Sequence, residues 1–141
     1  MIVDLSRDDN AFLQATPLGL AVASKGISLA TAREIHGWIT ASSSRFWSEA
    51  DVLLALASTP DGRQAQVMLT TREYDEADYP GRLKALTWDE PGDADVPLNR
   101  IRASRLQPFF EEVRAVKVTL ILLDWLEQTP ACTIEERFNT M

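Results

Sequence analysis

The sequence is poor in the residues that bind metals and form cross-links: it has one cysteine, Cys132, and one histidine, His36. A single cysteine forms no disulfide within the chain, which is typical of proteins that fold in a reducing cytosol. Structural zinc sites use several Cys or His ligands, so one of each excludes the common zinc-binding folds. For His36 we expect a partly buried, hydrogen-bonded side chain rather than a metal ligand or a pH switch.

Long apolar runs are lacking as well. The longest, residues 118–123, contains Thr119 and is followed by Asp124, so it is too short to span a bilayer. The first ten residues, MIVDLSRDDN, have acids where a secretory signal has basic residues, and they include no apolar stretch. We therefore expect an intracellular protein, in the cytoplasm or the nucleus, without a membrane partner.

Catalytic motifs are also missing. The sequence contains no G-x-x-x-x-G-K-[ST] phosphate loop, no D-E-x-H pair for magnesium and no G-x-S-x-G elbow. Residues 42–44 are serines, but nothing in the pattern sets the geometry with His36 that a catalytic triad requires. We expect this chain alone to be no enzyme and to hold no metal or cofactor.

What the chain does have is an excess of acid, with a formal net charge of −7 over 141 residues. Nucleic-acid binding depends on Lys and Arg, so the chain as a whole is a poor polyanion binder. Segment 61–95 has nine acids and four bases, whereas segment 99–118 has five bases and two acids. The latter bases form either a solvated helix face or a local stripe that contacts phosphates. They are Arg100, Arg102, Arg105, Arg114 and Lys117.

Apolar residues recur every three or four positions through most of the chain. This period predicts a mainly α fold, a helical bundle, with a short N-terminal strand at 11–15. The pattern predicts helices over 18–25, 29–40, 52–57, 108–128 and from 133 onward, and it favours further helices at 64–73 and 82–88. Two prolines, a glycine and three acids predict a loop at 90–97.

Several helix starts have capping signals. Ser28 precedes the helix predicted at 29–40 and is a suitable N-cap. Ser48-x-x-Asp51 resembles a capping box with Asp in place of Glu, and Thr133-x-x-Glu136 matches the motif directly. We therefore expect helices to begin just after Ser48 and Thr133.

The helix predicted at 108–128 is apolar on most of its circumference, so we place it in the middle of the bundle. Its predicted core face comprises Phe109, Val113, Val116, Leu120, Leu123 and Leu126, and a second apolar side comprises Val118, Ile121, Leu122 and Trp125. Trp38 is expected in the core too. Trp47 and Trp88 lie near predicted helix ends, where they pack under loops or stack on a base.

Two blocks of the sequence carry a family likeness. The first begins at Thr16 and reads TPLGLAVASKGISLATAREI; the second begins at Lys117, reads KVTLILLDWLE and is followed by IEERF from Ile134. Together they resemble the C-terminal region of superfamily 2 DNA/RNA helicases of the ski-like and polymerase-theta-type branch. Leu20 departs from the family, which usually has a basic or polar residue there.

The resemblance implies a domain organisation and a function. Residues 1–15 would lead out of a winged helix, and residues 16–141 would form a ratchet-type helical domain, truncated before the helix that stacks on bases in the family. Such a domain braces single-stranded nucleic acid for motor domains of the same parent chain, which would bind ATP and Mg²⁺. The bases of 99–118 would then contact the strand weakly. Truncation also predicts an exposed apolar face and self-association.

A function of another class stays open. The chain is alternatively a stand-alone acidic interaction module, of the inhibitor or immunity type, that attracts a basic protein partner. Its binding residues would be Asp75, Glu76 and Asp78. A deep pocket that contains His36 and carboxylates of perturbed pKa would instead indicate an unfamiliar small enzyme.

Overall fold

The computed structural model describes residues 3–5, 13–15, 26–41, 47–90 and 96–138. Within these ranges the protein is a helical bundle, which confirms the predicted mainly α fold. The helices are α1 (Leu29–Ala41), α2 (Glu49–Ser58), α3 (Thr71–Glu76), α4 (Tyr79–Leu86), α5 (Pro97–Ala103), α6 (Phe110–Leu126) and α7 (Ala131–Phe138). The helix predicted at 18–25, the serines 42–44 and positions 91–95 of the acidic loop lie outside the described residues.

Two short strands precede the helices. Strand β1 (Val3–Leu5) pairs in antiparallel register with β2 (Leu13–Ala15), with Asp4 opposite Gln14. The strand predicted at 11–15 is therefore present at its last three residues.

The core lies around α6, which packs against α2, α4 and α7. Its interior residues Val113, Val116 and Leu120 are buried, as the apolar period predicts. They meet Leu54 of α2, Leu83 of α4, Leu98 and Ile101 of α5, and Ile134 and Phe138 of α7. The central position predicted for this helix is confirmed.

The ends of α6 behave differently from its middle. Phe109 is 82% exposed and Trp125 is 66% exposed, so the prediction that both belong to the core is wrong. The reason is length: α6 has 17 residues, whereas α2 has 10 and α4 has 8. At about 1.5 Å per residue, neither neighbour is long enough to cover both ends of α6.

The placement of other aromatic side chains differs in part from the prediction. Trp88 is 78% exposed just after α4, so it does not pack under a loop, and stacking on a base stays a prediction. Trp38 and Trp47 are half-buried. His36 is exposed on α1 and not partly buried as expected; Thr31 is the one residue of that helix that is fully buried.

The capping predictions hold for two helices and fail for one. Ser28 Oγ accepts a hydrogen bond from the Thr31 backbone N–H at 3.2 Å, and Ser48 forms a reciprocal capping box with Asp51. The box predicted at Thr133 is wrong. Helix α7 begins at Ala131, because the Pro130 carbonyl already accepts from Thr133 and Ile134.

Three boundaries also differ from the prediction. The helix expected at 64–73 is replaced by a 3-10 turn (Gly62–Gln64), a stretch without regular structure at 65–70, and α3. Pro97 opens α5 rather than closing the acidic loop, since proline suits the first helical position. Helix α6 starts at Phe110, two residues after Pro108, with Phe109 as its N-cap.

Helix α1 is joined to the rest of the bundle at its first turn. The Asp61 carboxylate accepts from the Ser28 backbone N–H at 2.8 Å, and the Asp61 N–H donates to Thr31 Oγ1 at 3.1 Å. The hydrogen bond from the Ser28 backbone N–H is the largest cause that lowers the pKa of Asp61, and hydrogen bonds from the Thr31 and Ser28 side chains lower it further. The Asp61-Gly62 turn thus also anchors α1.

Candidate interaction surface

Lys117, the last of the five predicted phosphate-binding residues, lies inside the bundle. Lys117 is 1% exposed, and its Nζ lies 2.5 Å from Glu73 Oε1 and 2.6 Å from the Met68 carbonyl oxygen. The other partner of Glu73 Oε1 is the Tyr79 hydroxyl, which donates to it at 2.9 Å. Lys117 therefore neutralises a carboxylate in the core, and a phosphate at the surface does not reach it.

The pKa values of this cluster show how firmly its charges are held. Burial alone would raise the pKa of Glu73, but hydrogen bonds from Lys117, Thr70 and Tyr79 outweigh it and lower the pKa to about 2. Burial, together with the hydrogen bond to Glu73, raises the pKa of Tyr79 to about 12. Glu73 stays ionised and Tyr79 stays protonated across the physiological range.

Arg114 also serves the fold. Its guanidinium donates to the carbonyl oxygens of Arg63, Ala65 and Val67, with distances of 2.7 Å to Arg63 and Val67. The Ala65 and Val67 carbonyls belong to the segment predicted to be helical, 64–73, and Arg63 directly precedes it. Arg114 supplies their hydrogen bonds, which allows this part of the chain to lie on α6 without regular secondary structure.

The remaining three bases lie on or just after α5. Arg102 is half-buried and donates from Nη2 to the Trp88 carbonyl at 3.1 Å, while its Nη1 is buried without a hydrogen bond. Arg100 and Arg105 are exposed. The structure thus leaves two of the five predicted residues as exposed cations and distributes the other three over internal contacts.

The acids predicted to bind a partner have the opposite placement. Asp75, Glu76 and Asp78 are all exposed at the junction of α3 and α4. Glu76 pairs with Arg72 at 2.9 Å in a contact open to solvent. Asp78 adopts a left-handed backbone (φ 47°) and caps α4 by accepting from the Gly81 N–H at 3.2 Å. The structure brings these three residues together on one corner.

Next to this corner lies the loop at 104–109, whose exposed apolar side chains were not predicted to be functional. Leu106 is 83% exposed, and Phe109 lies beyond Pro108 at the entrance to α6. Pro108 predicted a helix start at 108 and so placed Phe109 inside the helix; α6 begins two residues later, which leaves Phe109 outside its buried stripe.

A cleft of about 520 Å³ separates α1 from α5 and the first turn of α6. Its charged lining is mixed: Glu34 and Glu112 face it together with Arg63 and Arg100, and Trp38 contributes an aromatic wall. One carboxylate oxygen of Glu34 is buried without a hydrogen bond. Balanced charges of both signs favour no particular ligand, and His36 is not among the lining residues.

Within the described ranges no cluster of three or more His, Cys, Asp or Glu residues is arranged to hold a metal ion. No helix in the same ranges has the length and apolar character needed to cross a membrane. No protein-family model matches the chain, and neither a curated protein nor a solved structure matches it.

Proposed function

We propose that this chain is an acidic protein-interaction module that binds a basic protein partner through Asp75, Glu76 and Asp78. One observation supports the proposal above the others. These three carboxylates are exposed together at the α3–α4 junction, whereas Arg114 and Lys117 are used inside the fold. The exposed charges described in segments 61–95 and 99–118 are therefore more acidic than the sequences of these two segments suggest.

The electrostatic argument concerns recognition and rate of association. Carboxylates exposed on one corner of a chain with net charge −7 attract a positively charged partner and orient its approach. Individual exposed ion pairs add little affinity, typically less than about 1 kcal/mol each. The acids therefore select the sign of the partner, and neighbouring contacts must add the affinity.

Affinity capture from a lysate of the source cells tests the proposal. The full chain is compared with the variant Asp75→Asn, Glu76→Gln, Asp78→Asn; asparagine still tolerates the left-handed backbone and caps the helix at position 78. A matched control, Glu127→Gln, Glu135→Gln, Glu136→Gln, removes the same charge from exposed positions elsewhere.

We expect the full chain and the control variant to retain a basic protein. The variant with neutral residues at 75, 76 and 78 should not retain it. Equal loss from both variants would reduce the effect to net charge. Retention by both, or recovery of acidic partners alone, would contradict the proposal.

The role of a helicase scaffold is a second proposal, supported by one packing feature. The second block of the resemblance spans α6 and α7, and its Ile134 and Phe138 are buried against the α6 core. Of the five predicted phosphate-binding bases, a scaffold helix pair of this kind would present Arg100 and Arg105 to a single strand, because these two remain exposed. Weak binding that Arg100→Ala and Arg105→Ala abolish would favour this function over the first.

A further inference from the structure

We propose that Leu106 and Phe109 form the apolar anchor of a docking site for an amphipathic, lysine- and arginine-rich helix of the partner. This inference rests on the proposed function, since it specifies what adds affinity beside the acids of the α3–α4 junction. It assigns a role to side chains that are among the most exposed apolar residues described.

The segment that carries these side chains is held by a set of hydrogen bonds. The Tyr74 hydroxyl donates to the Pro108 carbonyl at 2.8 Å, and Gln107 Nε2 donates to the Tyr74 carbonyl at 2.7 Å. Ser104 Oγ donates to the Leu106 carbonyl at 2.7 Å. An anchor that is already ordered loses little conformational entropy when a partner binds.

An aromatic contact continues the surface onto α3. The rings of Tyr74 and Phe110 lie 5.6 Å apart between centroids, and Phe110 is itself partly exposed. Tyr74 is followed directly by Asp75 and Glu76 in the chain. The apolar anchor and the acidic corner therefore both adjoin Tyr74.

The charges around the anchor determine which partner fits. Asp75 and Glu76 lie on its α3 side, and Glu111 and Glu112 are exposed in the first turn of α6. Three bases are close by in the chain. Arg105 is exposed beside Leu106, Arg72 is already paired with Glu76, and the half-buried Arg114 lies 3.7 Å from Glu111. The excess is acidic, so an apolar face bordered by Lys and Arg complements it.

The same charges disfavour a second copy of this chain as the occupant. Each chain carries a formal charge of −7, and a two-fold contact through this surface would place equal sets of carboxylates near one another. Like charges brought together at an interface oppose association. The structure therefore points to a basic partner and away from a homodimer.

Binding of two synthetic peptides tests the site. The first consists of leucine and lysine, with leucines at helical positions i, i+3, i+4 and i+7; the second has the same composition in an order that forms no apolar face. Each is titrated into the full chain and into three variants. These are Leu106→Ser with Phe109→Ser, the Asp75, Glu76 and Asp78 neutral variant, and Trp125→Ser. Trp125 provides the matched control, because it is an exposed aromatic residue at the other end of α6.

We expect the amphipathic peptide to bind the full chain and the Trp125 variant with equal affinity. The Leu106 and Phe109 variant should bind it at least about tenfold more weakly, close to the level of the reordered peptide. Both substituted residues are exposed, so circular dichroism and thermal unfolding should show an intact fold.

Each other result contradicts part of the account in a distinct way. If both peptides bind the Leu106 and Phe109 variant unchanged, but the neutral variant loses them, the anchor is refuted and the acidic function stands. If neither peptide binds the full chain, the basic-partner function fails as well. A dimer in sedimentation that Phe109→Ser disperses would assign this surface to a second copy and overturn the docking site.

Discussion

Segment 71–90, which includes α3 and α4, keeps most of its acids at the surface, whereas segment 97–117 directs Arg114 and Lys117 into the fold. The two segments have opposite charge in the sequence, and their one buried acid and one buried base meet as Glu73 and Lys117. The difference shows that the charge of a segment is a poor guide to the charge of a surface. Position along a packed helix decides which charges a partner can reach.

The largest effect that separates the two segments should come from Lys117. Lys117→Met fills similar space but leaves the Glu73 carboxylate buried without its cation. Breaking a buried pair from one side costs about 3–5 kcal/mol. Urea unfolding followed by circular dichroism measures the loss. As a control, Arg105→Met changes an exposed base of the same segment and should stay within about 0.5 kcal/mol.

A double variant sharpens this result. Lys117→Met with Glu73→Gln removes both charges while keeping a side chain that can still cap α3. It should therefore be more stable than Lys117→Met alone. If Lys117→Met costs no more than Arg105→Met, the pair does not hold the core together.

The next effect in size should come from Arg114, the other base that is turned inward. Arg114→Ala removes the side-chain donor of the Arg63 and Val67 carbonyls and one of the two donors of the Ala65 carbonyl, which keeps its bond from the Val67 N–H. Hydrogen bonds to charged groups contribute about 1.5–3 kcal/mol. Arg114→Lys keeps the charge but lacks the planar fork that reaches several carbonyls. Thermal unfolding should place the two variants close together. A lysine that restores full stability would show that charge alone matters.

The buried acid gives a pH dependence that the exposed acids lack. Folding lowers the pKa of Glu73 from 4.5 to about 2, so the folded chain binds this proton less tightly than the unfolded chain. Its contribution to stability is complete above pH 4.5 and is lost as the pH falls toward 2. Folding raises the pKa of Tyr79 from 10.0 to about 12, so its contribution is complete below pH 10 and is lost as the pH rises toward 12.

Denaturant unfolding at a series of pH values checks both limits. The Glu73→Gln variant should show a smaller decline in stability between pH 4.5 and 2 than the full chain does. The Tyr79→Phe variant should show a smaller decline in stability between pH 10 and 12 than the full chain does. A decline of equal slope in Glu73→Gln would assign the acid sensitivity to other carboxylates.

The smallest stability effects are expected at the exposed acids. Asp75→Asn and Glu76→Gln should each change the free energy of unfolding by no more than about 0.5 kcal/mol, because their side chains are open to solvent. A loss above 1 kcal/mol at either position in urea unfolding would mean that the acids support the fold.

The fold class and most helix positions could be predicted from the period of apolar residues and from local capping signals. Ser28 and the Ser48 box act within a few residues, so the sequence contains all that determines them. Segment 64–73 could not be predicted in this way. Its carbonyls bond to Arg114, which lies 47 residues beyond Val67, and no local pattern shows that contact.

The candidate site could be predicted in part. Asp75, Glu76 and Asp78 were selected by charge, and the structure leaves them exposed. Leu106 and Phe109 were missed, because periodicity identifies which side chains share a helix face but does not show where neighbouring helices end. Lys117 was assigned to a phosphate for the same kind of reason, since its contact with Glu73 spans 44 residues.

The measurement that tests the central claim most directly compares two charged ligands of the full chain. Fluorescence anisotropy at low salt measures binding of a labelled single-stranded oligonucleotide and of the labelled leucine–lysine peptide described above. We expect the peptide to bind, with an affinity that neutral residues at 75, 76 and 78 reduce, and the oligonucleotide to bind far more weakly. Tighter binding of the oligonucleotide, lost on raising the salt or on Arg100→Ala with Arg105→Ala, would contradict the acidic interaction surface and favour the helicase scaffold.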